Sequence, residues 1–139
     1  MGTTFSPFLL LKILDKYIEF RYNVYIEVRY IEVNSMDDKL RRIYVPMTET
    51  GFYILFCLQK ESHGYNITQK VKELTKGQVV ISPGTMYGTL SKMEKDSLIV
   101  FSHEEEKRKI YQITEIGREI LEIELKRIER LYRNSKEDV

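Results

Sequence analysis

Residues 82–92 read SPGTMYGTLSK, and they place a proline and two glycines inside a stretch with helical spacing. Met86, Leu90 and Met93 recur at i, i+4 and i+7, which predicts a helix with one buried stripe. Ser82 stands where an N-cap belongs, and Pro83 falls at the first helical position, where its missing N–H costs nothing. Gly84 and Gly88 are harder to explain, since each glycine costs a helix interior about 1 kcal/mol against alanine. They lie opposite the stripe with Ser91 and Lys95, and Thr85, Thr89 and Lys92 flank them. A face of small and hydroxyl-bearing residues edged by lysine lets a helix come close to a large anion, and the free N–H groups of the first turn bind phosphate oxygens directly. Tyr87 is the ambiguous member: phosphate or sugar contact and packing at the core boundary explain it equally well.

Outward from this helix the chain becomes regular. Before it, TETGFYILFCLQK (48–60) offers Thr48 as a cap and seven consecutive apolar residues, Phe52 to Leu58. A helix apolar on nearly every side exceeds what one thin domain covers, so part of it is expected against a partner chain. ESHGYNITQKVKELTKG (61–77) turns at His63-Gly64, continues as an amphipathic helix through Ile67, Val71 and Leu74, and closes at Gly77. A short β-prone run, QVVI (78–81), leads into the glycine-bearing helix. After it, SLIVFSH (97–103) and KRKIYQIT (107–114) are β-prone runs joined by a charged tip, the pattern of a hairpin. TEIGREILEIELKRIERLYRN (114–134) then starts a long helix at Thr114. Its apolar residues are more than one side of a small domain needs, and a symmetric second copy is the commonest cover. Helix, helix, helix, hairpin, helix is the order of a winged helix-turn-helix, mainly α with a small β-hairpin, whose third helix enters the major groove.

The composition agrees. With 139 residues, 42% hydrophobic and 31% charged, the chain has room for one small domain. Cys57 is the only cysteine, which excludes an internal disulfide and suits a reducing cytoplasm. No stretch approaches the roughly 20 apolar residues that span a bilayer. Net charge is +1, but residues 62–92 hold four lysines against one glutamate, while carboxylates gather at 104–106 and along 115–129. No nucleophile has a base partner, no glycine-rich phosphate loop occurs, and neither histidine stands at metal spacing, so no enzyme, metal site or cofactor is expected.

FYILFCLQKESHGYNITQKV (52–71), SPGTMYGTLSKMEKDSLI (82–99) and KRKIYQITEIGREIL (107–121) together resemble the PadR family of bacterial transcriptional regulators, over about residues 47–124. The HGY turn, the PGTxY entry and the YxxTxxG exit carry the resemblance in the right order. It implies the short form of the family, with a single C-terminal dimerisation helix. It also implies a homodimeric winged helix repressor on a palindromic double-stranded DNA operator, often relieved by a small-molecule inducer.

By position, the DNA-binding residues would be His63, Tyr65, Lys70, Ser82, Pro83, Gly84, Thr85, Tyr87, Gly88, Thr89, Ser91 and Lys92, with Lys107, Arg108 and Lys109 in the wing. The dimer interface would take Phe52, Tyr53, Phe56, Ile120, Leu121, Leu125, Ile128, Leu131 and Tyr132, although core packing also accounts for the three aromatics. One departure stands out. Glu104, Glu105 and Glu106 occupy a wing tip where the family often has glycine and arginine, and phosphate repels them, so they must point away from DNA or bind something else. A winged helix used as a protein-interaction module, without specific DNA binding, is the reading from another class.

The expected division is an extension over 1–35, a lead-in over 36–46, the winged helix DNA-binding domain over 47–113, the dimerisation helix over 114–134 and a tail over 135–139. The extension repeats itself, YIEFRYNV followed by YIEVRYIE. It is either an added strand pair or helix, or upstream DNA translated from a start placed too early. Glu32-Val33 can be encoded as a ribosome-binding sequence ahead of Met36.

Overall fold

Every helix after residue 47 begins at a side chain that caps it. Thr48, His63, Ser82 and Thr114 hold extended backbone and accept the N–H of Gly51, Asn66, Thr85 and Gly117 respectively, each satisfying one orphan donor of a first turn. In this computed structural model, residues 2 and 4–138 are described, the side chains of 31–37 excepted. They form α1 (Pro7–Tyr44), α2 (Glu49–Cys57), α3 (Gly64–Leu74), α4 (Pro83–Lys95), the strands β1 (Ile99–Glu105) and β2 (Arg108–Ile113), and α5 (Glu115–Asn134). This is a winged helix-turn-helix with a long C-terminal helix.

The chain divides into two compact units, residues 1–39 and 40–139. In the first, the aromatic repeat is helical, as part of α1, and the large apolar side chains from Phe8 to Tyr30 are 42–69% exposed. Glu32, Val33 and Met36 lie outside the described side chains. No helix among the described residues is long and apolar enough to cross a membrane.

In the second unit the core is assembled from Leu40 and Tyr44 at the end of α1, Ile54, Leu55 and Leu58, Ile67 and Val71, the α4 stripe Met86, Leu90 and Met93, and Leu98, Ile99 and Ile113 around the hairpin. Each full burial of such a side chain is worth about 1.5–3 kcal/mol. Phe52, Tyr53 and Phe56 pack partly buried against this core and against one another, with ring centroids 5.6 and 5.8 Å apart.

Three expectations need correction. Leu74 is exposed, because α3 stops there. The chain then turns through Lys76, at φ 51°, one residue before Gly77; the N–H groups of Lys76 and Gly77 close onto the carbonyls of Glu73 and Lys72. The run 78–81 forms no strand. Thr75 Oγ1 takes the Val79 N–H at 3.0 Å, so that donor is satisfied within the loop while Ile81 still reaches the core. Ile120 and Leu121, grouped with the dimer interface by periodicity, are each 2% exposed and belong to this chain's own core. Only from Leu125 onward does the apolar face of α5 lack cover.

Two close fits hold α5. A Cβ on Gly117 would collide with the Leu98 carbonyl oxygen, so only glycine lets the helix start against this residue at the entry to β1. Farther along, Glu124 is 1% exposed, and its carboxylate accepts Arg127 Nε at 2.8 Å and Arg127 NH2 at 2.6 Å. The paired donors of one arginine make burial of this charge tolerable. The hydrogen bonds from Arg127 hold the Glu124 carboxyl below its usual 4.5 against the opposing effect of burial, with the Met47 N–H and the arginine charge adding to them.

Gly117→Ala should lower unfolding free energy by about 1–3 kcal/mol in urea titrations. Gly84→Ala, whose Cβ meets nothing within 4 Å, should be neutral or stabilising by up to about 1 kcal/mol. Because the folded carboxyl titrates below the unfolded one, the stabilisation from Glu124 is complete above its ordinary value of 4.5 and fades as pH falls through the depressed folded value. Glu124→Gln should therefore be less stable than wild type at pH 7, with the gap closing on acidification.

Candidate nucleic-acid interface

Two grooves flank α4. On one side it faces the start of α3 and the wing across a groove of about 350 Å³, lined by His63, Tyr65, Tyr87, Ser91, Lys107, Arg108 and Lys109, together with Gly64 and Tyr111. On the other it faces the end of α1 and the start of α2 across a second groove of about 350 Å³, where Gly88, Thr89, Lys92 and Met93 lie opposite Tyr44, Pro46, Met47, Thr48 and Gly51.

The first groove exists because the wing is tied to the chain between α2 and α3. Ser62 exchanges both backbone hydrogen bonds with Tyr111, at 3.0 and 2.9 Å, and the Ile113 N–H reaches the Leu58 carbonyl. Next to this bridge, Gly64 brings α3 onto α4: a Cβ there would stand 2.9 Å from Met86 Cγ and 3.4 Å from the Tyr87 ring. The HGY turn thus seats Tyr65 beside α4. Arg108 then lies over the Tyr65 ring, 4.9 Å from its centroid, a cation–π contact that orders both side chains while leaving the guanidinium donors available.

His63 has a definite chemical role in this arrangement. Its Nδ1 accepts the Asn66 N–H at 3.1 Å, so the neutral ring carries its proton on Nε2 and presents a donor. Tyr65 and Tyr87 are more than half exposed, each with an apolar ring and a free hydroxyl.

The wing pairs opposite charges across its two strands. β1 pairs antiparallel with β2, with Glu104 opposite Lys109 and Glu105 opposite Arg108. A bulge at Ser102 shifts the register between Phe101 and His103, which adds twist and re-aims the following side chains. Lys107, Arg108 and Lys109 line the groove, and no carboxylate does. On the other strand, Glu105 lies 2.9 Å from His103 Nε2, and the Ser102 hydroxyl donates to Glu61 at 2.8 Å. Of the tip carboxylates Glu105 is held by His103, and none of the three lines the groove.

Along α4, a Cβ at Gly84 or Gly88 would meet nothing within 4 Å. These glycines serve no packing inside the chain, in contrast to Gly64 and Gly117. Lys92 lies 5.2 Å from the centroid of the Tyr44 ring, and the Tyr44 hydroxyl donates to Asp96 at 2.6 Å. Burial first, and then the Asp96 carboxylate, raise the Tyr44 phenol well above its ordinary value, so it stays neutral.

The expected contact residues are therefore distributed. Seven meet in the wing groove and three in the other. Ser82, Pro83, Gly84 and Thr85 form the exposed first turn of α4 and line neither groove. Lys70 also lines neither; its charge acts on buried Cys57, whose thiol burial raises and Lys70 partly restores. Tyr44, Thr48 and Tyr111 were not anticipated as groove residues, and only their neighbours in three dimensions reveal them. Among the described residues, no group of three or more His, Cys, Asp or Glu side chains is placed to hold a metal ion.

Comparison with known proteins points the same way. Residues 54–123, just over half of the chain, match the Transcriptional regulator PadR-like family. The transcriptional regulator YqjI of Escherichia coli K12 is 34% identical over 89 residues, covering 63% of this chain and 43% of YqjI. The chain thus spans less than half the length of that relative. The transcriptional regulator Rv3488 of Mycobacterium tuberculosis is 36% identical over 76 residues, covering 52% of this chain and 68% of its own. Among solved structures, a transcriptional regulator from Clostridium thermocellum superposes with a TM-score of 0.56 at 26% identity, covering 63% of this chain and 89% of that one. A PadR family regulator from Clostridium difficile gives 0.50 at 28%, covering 59% and 91%.

The wing turn offers a direct check on this geometry. Glu106 and Lys107 both adopt positive φ, 48° and 64°, the pattern of a two-residue hairpin turn that favours Asn-Gly. Lys107→Gly should therefore raise the thermal midpoint, gaining about 1 kcal/mol from the left-handed position.

Proposed function

The chain belongs to the Transcriptional regulator PadR-like family, and from that premise we propose that it binds double-stranded DNA as a homodimer and represses transcription from a palindromic operator. The family and these relatives are transcriptional regulators, not enzymes. The observation that carries the proposal is the pair of grooves beside α4. An α-helix with its side chains is about 10–12 Å across and the major groove about 12 Å wide. Bare backbone at Gly84 and Gly88 lets α4 sit deep. The two phosphate backbones then run past Lys92 and Thr89 on one side, and past His63, Tyr65 and the basic strand of the wing on the other. The first turn of α4, from Ser82 to Thr85, enters first with its free N–H groups.

The homodimer rests on α5. Its core-facing stripe, Gly117, Ile120, Leu121 and Glu124, is buried, and the same helix continues with Leu125, Ile128, Leu131 and Tyr132 at 40–64% exposure. A second copy is the natural cover, and it sets the two α4 helices about one helical turn of DNA apart, near 34–36 Å. In this reading residues 47–113 bind DNA and 114–134 dimerise, in a cytoplasmic protein whose operator occupancy responds to a small-molecule inducer.

Gel shift and footprinting on the gene's own upstream region test the proposal. Wild type should protect a palindrome, with affinity falling steeply with salt. Gly88→Leu should remain dimeric in sedimentation and lose the specific shift; unchanged DNA affinity would refute the placement of α4. Arg108→Ala should weaken binding and reduce the salt slope by about one, whereas Glu104→Ala should not weaken it. A protein-interaction module predicts no sequence-specific shift at all.

A further inference from the structure

A third cleft, of about 490 Å³, lies between the last turns of α1 and the C-terminal half of α5. Arg41, Lys126, Arg127, Arg130 and Arg133 line it, with Glu129 as its single carboxylate. In a chain whose net charge is only +1, five cations converging on one cleft form a local anion trap rather than a reflection of composition. The volume suits a small molecule. One cation is already fixed in place: Arg127 is clamped through Nε and NH2 by buried Glu124. Its other N–H donors remain for a ligand, and an arginine held in advance loses little freedom on binding. Lys126 also pairs with Glu122 at 3.1 Å, but both side chains are exposed, so that contact yields easily.

We propose that this cleft binds a small polyanion, a molecule carrying two or more phosphate or carboxylate groups, and that it is the effector site of the regulator. The effector role rests on the ligand-responsive reading above; the binding does not. The cleft shares no residue with either groove beside α4. On α5, the helical spacing puts Arg130 on the side away from Leu125, Ile128 and Tyr132, while Arg127 is one turn from Leu131, so a second copy seated on the apolar stripe borders the cleft at Arg127 and leaves its Arg130 side open. An anion drawing Arg41 at the end of α1 toward Arg130 and Arg133 changes how α5 sits against the domain. That alters the spacing of two α4 helices held together through α5.

The test is isothermal titration of full-length protein with sodium tripolyphosphate and, separately, citrate, ionic strength being held with sodium chloride. At least one should bind saturably, once per protomer, to wild type and equally to Gly88→Leu, and the one that binds reports whether phosphate or carboxylate is preferred. The Arg130→Ser/Arg133→Ser double variant should bind about tenfold more weakly or worse, while its affinity for the upstream DNA without anion stays unchanged. Adding the bound anion should shift DNA affinity for wild type and not for the double variant. Three results would overturn the proposal: no saturable binding of either anion, equal binding by the double variant, or weaker DNA binding by that variant in the absence of anion. The DNA-binding reading stands or falls separately, on the Gly88→Leu gel shift.

Discussion

Leu98 is the point at which the recognition helix, the wing and the C-terminal helix are joined. Its N–H closes the end of α4 onto the Met93 carbonyl, and its own carbonyl takes the Thr114 N–H at 3.0 Å and the Thr114 hydroxyl at 3.0 Å. Gly117 approaches that same carbonyl so closely that no side chain fits between them. Three elements converge on one residue, and its burial is tolerable only because both of its backbone polar groups are satisfied. Displacing α5 from this contact would carry away the cap of that helix, the hairpin register at Ile99 and Ile113, and the end of α4 together.

The chain uses its glycines in two opposed ways. Gly64 and Gly117 are internal, each removing a side chain where two elements would otherwise collide. Gly84 and Gly88 are external, and nothing in the chain approaches them. The charges are sorted in a comparable manner. Lys107 of the turn and Arg108 and Lys109 of β2 line the groove, whereas Glu105 of β1 stays with His103. A wing whose sequence looks ill suited to DNA therefore turns a basic side toward α4.

Much of this was legible in the sequence because it is local. Caps at Thr48, Ser82 and Thr114, the stripe Met86-Leu90-Met93 and the paired β-prone runs depend on neighbours within a few positions, and periodicity reports them directly. Periodicity also found the apolar face of α5, but not the place along it where the domain ends, so Ile120 and Leu121 could not be told from Leu125 and Ile128. A glutamate at position 124 reads as a solvated helix residue until Met47 and Arg127 are seen around it. The meeting of Tyr65, Tyr87 and Arg108 depends on the Ser62–Tyr111 bridge, a pairing between residues 49 positions apart in the chain that no local pattern announces.

That bridge also sets how far the protein can adapt to its target. Hydrogen bonds at Tyr111 and Ile113 tie the base of the hairpin to the chain between α2 and α3, and only the short stretch from Glu104 to Lys109 projects beyond them. In the DNA-bound arrangement proposed above, sequence-dependent variation in groove width would meet a short wing fixed at its root. A long flexible wing would average over such variation; a short one pinned at its root converts it into a difference in binding energy.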